Sequence, residues 1–371
     1  MRVLHVTSGN MYGGVETFLT TLARESDATP DMQSDFAVCF EGRFSAELAR
    51  LGGVPHLLGP VRLSRPHTLI RARSALTQLL RQTRFDVVVC HQPWSFVAFA
   101  SAARRAGLPV VLWVHTASEG RHWLDRLASL GRPDLTICNS QFTAARLSTW
   151  LSSSHVEPVY CPVSAPAETD HDAQRTTVRG VLGARMDDVV VVQVSRLEAM
   201  KGQHVLLAAL SELRDLSRWT CWMVGGAQRP AEVAYMQELK GLADEHGIVS
   251  RIQFLGERND VPVILRAADI FCQPNTAPEG FGLSMIEAMH AGLPVVTSAI
   301  GGACEIVDDS CGLLTPPDDV LGLSTALKSL IVDPDRRLRL GVAARRRPND
   351  LCDASRQMRR IYDVLSTVAA A

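Results

Sequence analysis

Several common signatures are missing from this chain of 371 residues. Its nine cysteines contain no C-x-x-C pair, and the number is odd. Cys39, Cys90, Cys138, Cys221 and Cys272 lie in apolar, strand-like runs, where cysteine behaves as a small buried hydrophobe in a reducing compartment. No run of 18 apolar residues is present, so no membrane-spanning helix is expected. The opening MRVLHVTSG has no long apolar region, so no signal peptide is expected. The dinucleotide fingerprint G-x-G-x-x-G is absent, and so is the Lys-Ser/Thr of a P-loop. The first disfavours an NAD-dependent dehydrogenase. A net charge of −1 argues against a dedicated nucleic-acid binder. Lysine is missing from residues 1–165, which hold 16 Arg against 12 acidic residues, whereas the rest of the chain is net acidic. A mildly basic first half suits a solvated basic face, an anionic acceptor or a membrane surface.

What is present is a repeated alternation of short apolar strands and amphipathic helices. The length allows two domains, and 46% hydrophobic with 21% charged residues is ordinary for a soluble α/β protein. Arg2 to Thr7 reads as a strand, followed by the loop SGNMYGG and a helix with Val15, Phe18, Leu19 and Leu22 at helical spacing. Strand, glycine turn and helix open a Rossmann-like unit. Gly13-Gly14 lets a backbone approach a phosphate or sugar, although a glycine pair alone also fits a plain tight turn. FDVVVC and VVLWV are buried strands that run into His91 and His115. Ligands of open α/β sheets gather at strand carboxyl ends, which singles out His115 more than His91. Asn139 or Ser140 is placed to cap the next helix. Residues 158–180, rich in proline, small and charged residues, read as the linker. A second series begins at VVVVQV (189–194), and an amphipathic helix over 355–368 carries Met358, Ile361, Leu365 and Val368 on one face.

The chemistry concentrates in PEGFGLSMIEAMHAGLP, residues 278–294, which holds Glu279 and Glu287 eight positions apart. Glycines lead into a helix start near Ser284, and Gly292 and Pro294 stop the helix. A helix N-terminus attracts anions. Ser284 with Glu287 also spells a capping box, so Glu287 has a structural reading as well. Glu279, between Pro and Gly outside the helix, has no evident structural duty. A nucleotide sugar needs cations for its diphosphate and carboxylates for its hydroxyls, and Arg196 and Lys201 follow the valine-rich strand at its carboxyl end.

The segment PEGFGLSMIEAMHAGLPVV with GGACEIV, the pair Arg196 and Lys201, the loop GGVETF and the strand-end His115 resemble the retaining family 4 glycosyltransferases of the GT-B fold. Segments such as RPDLTICNSQFTAARL and FLGERNDVPVILRAADIF extend the resemblance over nearly the whole chain. It implies an α/β architecture of two Rossmann-like domains facing across a cleft. Residues 1–165 would form the acceptor domain, 166–350 the donor domain, and 351–371 a helix returning to the first domain. Glu287 would hold the ribose and Glu279 would face the transferred sugar. Phe281, Gly282 and Leu283 would offer backbone amides, and Arg196 and Lys201 would hold the diphosphate. Gly13 and Gly14 would close over it, and His115 would contact the sugar or assist near the reaction centre. The implied co-substrate is a nucleoside-diphosphate sugar and the partner a hydroxyl acceptor, lipid-linked or polysaccharide among others, with no metal or other cofactor. A cytoplasmic location, with peripheral contact at the inner face of a membrane, follows as an expectation. Two departures stand out. Ser195 precedes Arg196 where the family often has Gly, and CPVSAP replaces an Asn-Gly-Val-Asp-like hinge turn. A sugar-nucleotide 2-epimerase and a catalytically inactive sugar-nucleotide-binding subunit remain open alternatives.

Overall fold

The computed structural model describes residues 1–151, 154–164 and 171–370. The chain divides into two compact units, Met1–Ser164 with Cys352–Ala371, and Ala165–Leu351. The first holds a parallel sheet of β1 (Arg2–Thr7), β2 (Gln33–Val38), β3 (His56–Leu57), β4 (Val87–His91), β5 (Val110–Val114), β6 (Leu135–Cys138) and β7 (Val156–Pro158). Its spatial order is β3-β2-β1-β4-β5-β6-β7. The second holds β8 (Val189–Val194), β9 (Trp219–Val224), β10 (Ile252–Gly256), β11 (Ile270–Gln273), β12 (Val295–Ser298) and β13 (Gly312–Thr315). Its order is β10-β9-β8-β11-β12-β13. All pairings are parallel, with Val3 opposite Val87 across β1–β4 and Ile270 opposite Val191 across β8–β11.

Both sheets are therefore doubly wound. The strand order reverses between β1 and β4 in one and between β8 and β11 in the other, and ligands of such sheets bind at the carboxyl ends beside that reversal. The strand sequences explain the architecture. VVVCH and VVLWV are buried at every position, as strands covered on both faces must be. Eight of the nine cysteines are buried among such residues, and only Cys304 is exposed.

The periodic helices and long strands stand where their patterns place them, with ends shifted by a few residues. Other readings change. The stretch 158–180 is not irregular throughout, because His171–Val181 is helical; residues 165–170 of that linker lie outside the described residues. The two-residue β3 and three-residue β7 are too short to show a period. The helix Pro334–Leu351 carries six arginines and Pro348, and buries only Leu340, Gly341, Ala344 and Pro348. So thin an apolar stripe gives little helical signal. The final helix, Ala354–Ala369, belongs to the first unit and buries Met358, Ile361, Val364 and Leu365 there. Val163 N–H donates to Cys352 O at 3.0 Å just before that helix.

Candidate functional site

The second unit gathers its candidate residues at the end of β8 and β11. Lys201 ends a short 3-10 turn after β8, and its ammonium pairs with Glu279 Oε1. Gln273 Nε2 and Asn275 Nδ2 both donate to Glu279 Oε2, at 3.0 and 2.9 Å. Gln273 and Asn275 are fully buried. Burial alone would push the Glu279 carboxyl up, but the Lys201 charge and these hydrogen bonds outweigh it and hold it below the usual carboxylate range. Glu279 thus has a structural duty the sequence did not show. A carboxylate offers about four acceptor positions. Three are filled, and the fourth lies on Oε1, beside the lysine.

Glu287 is the reverse case. The capping-box reading fails, because the helix is Leu283–His290 and its N-cap is Gly282, in the left-handed region at φ 114°. Ser284 lies inside the helix, and its hydroxyl donates to Gln273 Oε1 at 3.1 Å instead. Gln273 therefore ties Glu279 to the helix that carries Glu287. The Glu287 carboxylate is half-buried and has no side-chain partner among the described residues. Desolvation raises its pKa to about 7. The helix start has no side-chain cap and no acid in its first turn, so its backbone amides suit an anion. Phe281 is 3% exposed and anchors the preceding loop in the core. The GGACEIV glycines buttress the same loop from behind. Gly302 N–H donates to Glu279 O at 2.9 Å, and a Cβ on Gly301 would stand 2.6 Å from that oxygen. Arg196 does not join Lys201. It pairs with Glu198 at 2.9 Å, while Gln203 Nε2 holds the Arg196 carbonyl at 2.8 Å.

The first unit builds a different arrangement. Gly13 is the N-cap of the helix Gly14–Arg24, with extended φ of −164°, so no left-handed glycine is needed there. Its N–H already donates to Glu16 at 3.1 Å, so this helix start carries its own carboxylate. Across β1, β4 and β5 run three histidines. His5 Nδ1 stands 3.0 Å from His91 Nε2, and His91 Nδ1 stands 2.8 Å from His115 Nε2. His115 Nδ1 faces Asn139 Nδ2 at 3.0 Å, and Asn139 Oδ1 accepts from Trp113 Nε1 at 2.8 Å. Burial lowers the His5 and His115 pKa values to about 3 and His91 well below its usual range. His115 thus lies where expected, past the end of β5, but both ring nitrogens are engaged inside the unit. It offers no free nitrogen to a sugar. His91 is a core member of the same chain, and Ser140 caps the next helix through Thr143 N–H. Asn139, read as a cap, serves His115 instead.

Sequence reasoning missed Gln273, Asn275, Gln203 and Trp113. Each is a polar atom on or beside a buried apolar strand, and that position was the only available signal. Two Asp-x-Asp strings also occur in the chain, at 170–172 and 333–335. Asp170 lies outside the described residues, and Asp333 caps a helix through Arg336 N–H at 2.8 Å.

Comparison with known proteins identifies the family and the fold. The family described as "Glycosyl transferases group 1" matches residues 174–347, and "Glycosyltransferase Family 4" matches residues 12–165. A D-inositol 3-phosphate glycosyltransferase of Xylanimonas cellulosilytica is 30% identical over 285 residues, 70% of this chain and 67% of that protein. A GDP-mannose-dependent alpha-(1-6)-phosphatidylinositol monomannoside mannosyltransferase of Mycolicibacterium smegmatis is 27% identical, covering 90% of this chain and 89% of its own. Among solved structures, Anabaena Alr3699/HepE in complex with UDP and glucose superposes with a TM-score of 0.88 at 25% identity, covering 99% of both chains. With family matches spanning both units and two doubly wound sheets of this order, the chain belongs to glycosyltransferase family 4 and has the GT-B fold.

Proposed function

We propose that this glycosyltransferase moves a sugar from a nucleoside-diphosphate sugar to a hydroxyl acceptor with retention of anomeric configuration and without a metal. The observation that carries the reading is the pairing of an unpartnered, desolvated Glu287 with an uncapped helix start, joined through Gln273 to the Lys201–Glu279 pair. Glu287 accepts from the ribose diol. The amides of Phe281, Gly282 and Leu283 take the phosphate or sugar, and Lys201 and Arg196 offset charge on the departing diphosphate. Arg196 turns from Glu198 to do so. The open position on Glu279 Oε1 receives a hydroxyl of the transferred sugar. Gly13 and Gly14 let the backbone approach the phosphate or sugar of the donor.

The acceptor proton goes to an oxygen of the leaving diphosphate as the new glycosidic bond forms on the same face. That route fits the residues, because His115 has no unengaged nitrogen with which to act as base. UDP in the Anabaena complex and GDP-mannose in the mycobacterial relative's name support a nucleotide-sugar donor. The phosphatidylinositol of the same name supports an acceptor presented at a membrane. No helix among the described residues is long and apolar enough to cross a membrane. Peripheral contact at the cytoplasmic face of a membrane is part of the same proposal.

Thermal-shift measurements against UDP-, GDP-, ADP- and dTDP-sugars should show one donor raising Tm, since a ligand of the native state alone stabilises it. Product analysis with that donor, with and without acceptor and in the presence of EDTA, then decides the chemistry. Epimerised sugar formed without acceptor establishes the epimerase, and loss of turnover in EDTA rejects the metal-free mechanism.

A further inference from the structure

The histidine chain of the first unit has a definite polarity, and it starts from a donor that cannot change its role. An indole Nε1 only donates. Trp113 therefore fixes Asn139 with its oxygen toward the indole and its NH₂ toward His115. A donor facing His115 Nδ1 requires that nitrogen to be bare, so the proton sits on Nε2. His115 Nε2–H then donates to His91 Nδ1, and His91 Nε2–H donates to His5 Nδ1. The chain ends at His5 Nε2–H, which is buried without a partner among the described residues. His5 and Trp113 are fully buried and His91 is 2% exposed. An amide at one end and an orphan N–H at the other leave no exit for a proton, so the chain is not a proton wire.

We propose that Asn139, oriented by Trp113, is a positioning residue that holds His115 as the neutral Nε2–H tautomer at the carboxyl end of β5. The need for it follows from the reaction proposed above, on which the functional half of the inference rests. Glycosyl transfer passes through a sugar that carries positive charge. An imidazole that stays neutral at the carboxyl end of β5 sets no charge against such a sugar, whereas an imidazolium would oppose it. An amide N–H against Nδ1 forbids the second proton. An aspartate in the same place would invite it, because a carboxylate only accepts, from Trp113 on one side and from His115 Nδ1–H on the other.

Long-range ¹H–¹⁵N correlation on protein labelled at histidine reads the tautomers directly, with resonances assigned from His5→Gln and His91→Gln variants. In the wild-type protein His5, His91 and His115 should each show a protonated Nε2 and a bare Nδ1. In Asn139→Asp, an isosteric change, His115 Nδ1 should acquire a proton. Its kcat should fall at least tenfold while the donor KM changes less than threefold, and the kcat–pH profile should gain a limb absent from the wild type. A wild-type His115 protonated on Nδ1, or a tautomer unmoved by Asn139→Asp, overturns the assignment. A moved proton with unchanged kcat overturns the positioning role. The spectroscopic arm needs no substrate, so it stands or falls separately from the proposed reaction.

Discussion

The Glu279 carboxylate is held ionised by the Lys201 ammonium, whereas desolvation raises Glu287, which has no side-chain partner among the described residues, to about 7. The two should therefore respond oppositely to change. Donor binding through Glu287 needs its ionised form, so the donor KM should fall as pH rises through about 7, and Glu287→Gln should flatten that dependence. Glu287→Ala and Lys201→Ala should each weaken donor binding or turnover tenfold or more, roughly 1.4 kcal/mol. Steady-state kinetics with the identified donor checks both, and near wild-type values for the pair reject the assignment. Because its pKa is raised from 4.5 in the folded state, Glu287 also makes stability fall as pH rises from about 4.5 to about 7. Thermal melts of Glu287→Gln across that window should lack this slope. Gln273→Ala should remove bonds to Glu279 and Asn275 and leave the Ser284 hydroxyl without its acceptor, at a cost of about 1 kcal/mol per lost bond. Its kcat should drop more than its Tm alone explains.

At the scale of elements, two helix starts that look similar in the sequence differ in chemistry. The start at Gly14 brings its own Glu16 carboxylate, while the start at Leu283 is left open by Gly282. The loop before the open start depends on close backbone contact, so Gly301→Ala would drive a Cβ into Glu279 O and displace the loop. We expect a lowered kcat and a reduced Tm, read by kinetics and calorimetry. A different element bears on the proposed membrane contact. The helix Trp123–Leu130 turns Ala128 and Asp125 inward and exposes Trp123 (52%), Leu127 (43%) and Leu130 (78%), with Arg126 on the same arc. That combination suits an interfacial helix on an anionic surface. Binding to phosphatidylglycerol vesicles should weaken at least fivefold in Trp123→Ser/Leu130→Ser with transfer to a soluble acceptor unchanged; equal binding places the contact elsewhere.

For the whole molecule, the first unit is completed by the chain's last helix. Met358, Ile361 and Leu365 are fully buried against it, and Ile361→Ala should cost about 2–5 kcal/mol. Ending the chain at residue 351 should destabilise that unit in preference to the second, as hydrogen exchange resolved by unit would show. The histidine chain adds a pH limit to the same unit. Its members have folded pKa values depressed from 6.5, so their stabilising contribution is present above 6.5 and is lost as pH falls toward about 3. Acid melts should therefore weaken the first unit below pH 6.5, in the direction opposite to the Glu287 effect.

The sequence by itself determined the doubly wound halves, the strands 110–114, 135–138, 189–194 and 219–224, and the cluster of candidates around Glu279 and Glu287. Long apolar strands and amphipathic helices announce themselves locally, because burial on two faces or one is written as period. Only the tertiary structure decided what each polar side chain does. Nothing local says that Ser284 turns to Gln273 rather than caps its helix, that Lys201 goes to Glu279 while Arg196 goes to Glu198, or that Asn139 serves His115. Lys201 and Glu279 lie 78 residues apart along the chain and Asn139 and His115 lie 24 apart, and they meet only where parallel strands end side by side. A hydrogen bond depends on that meeting and leaves no period in the sequence.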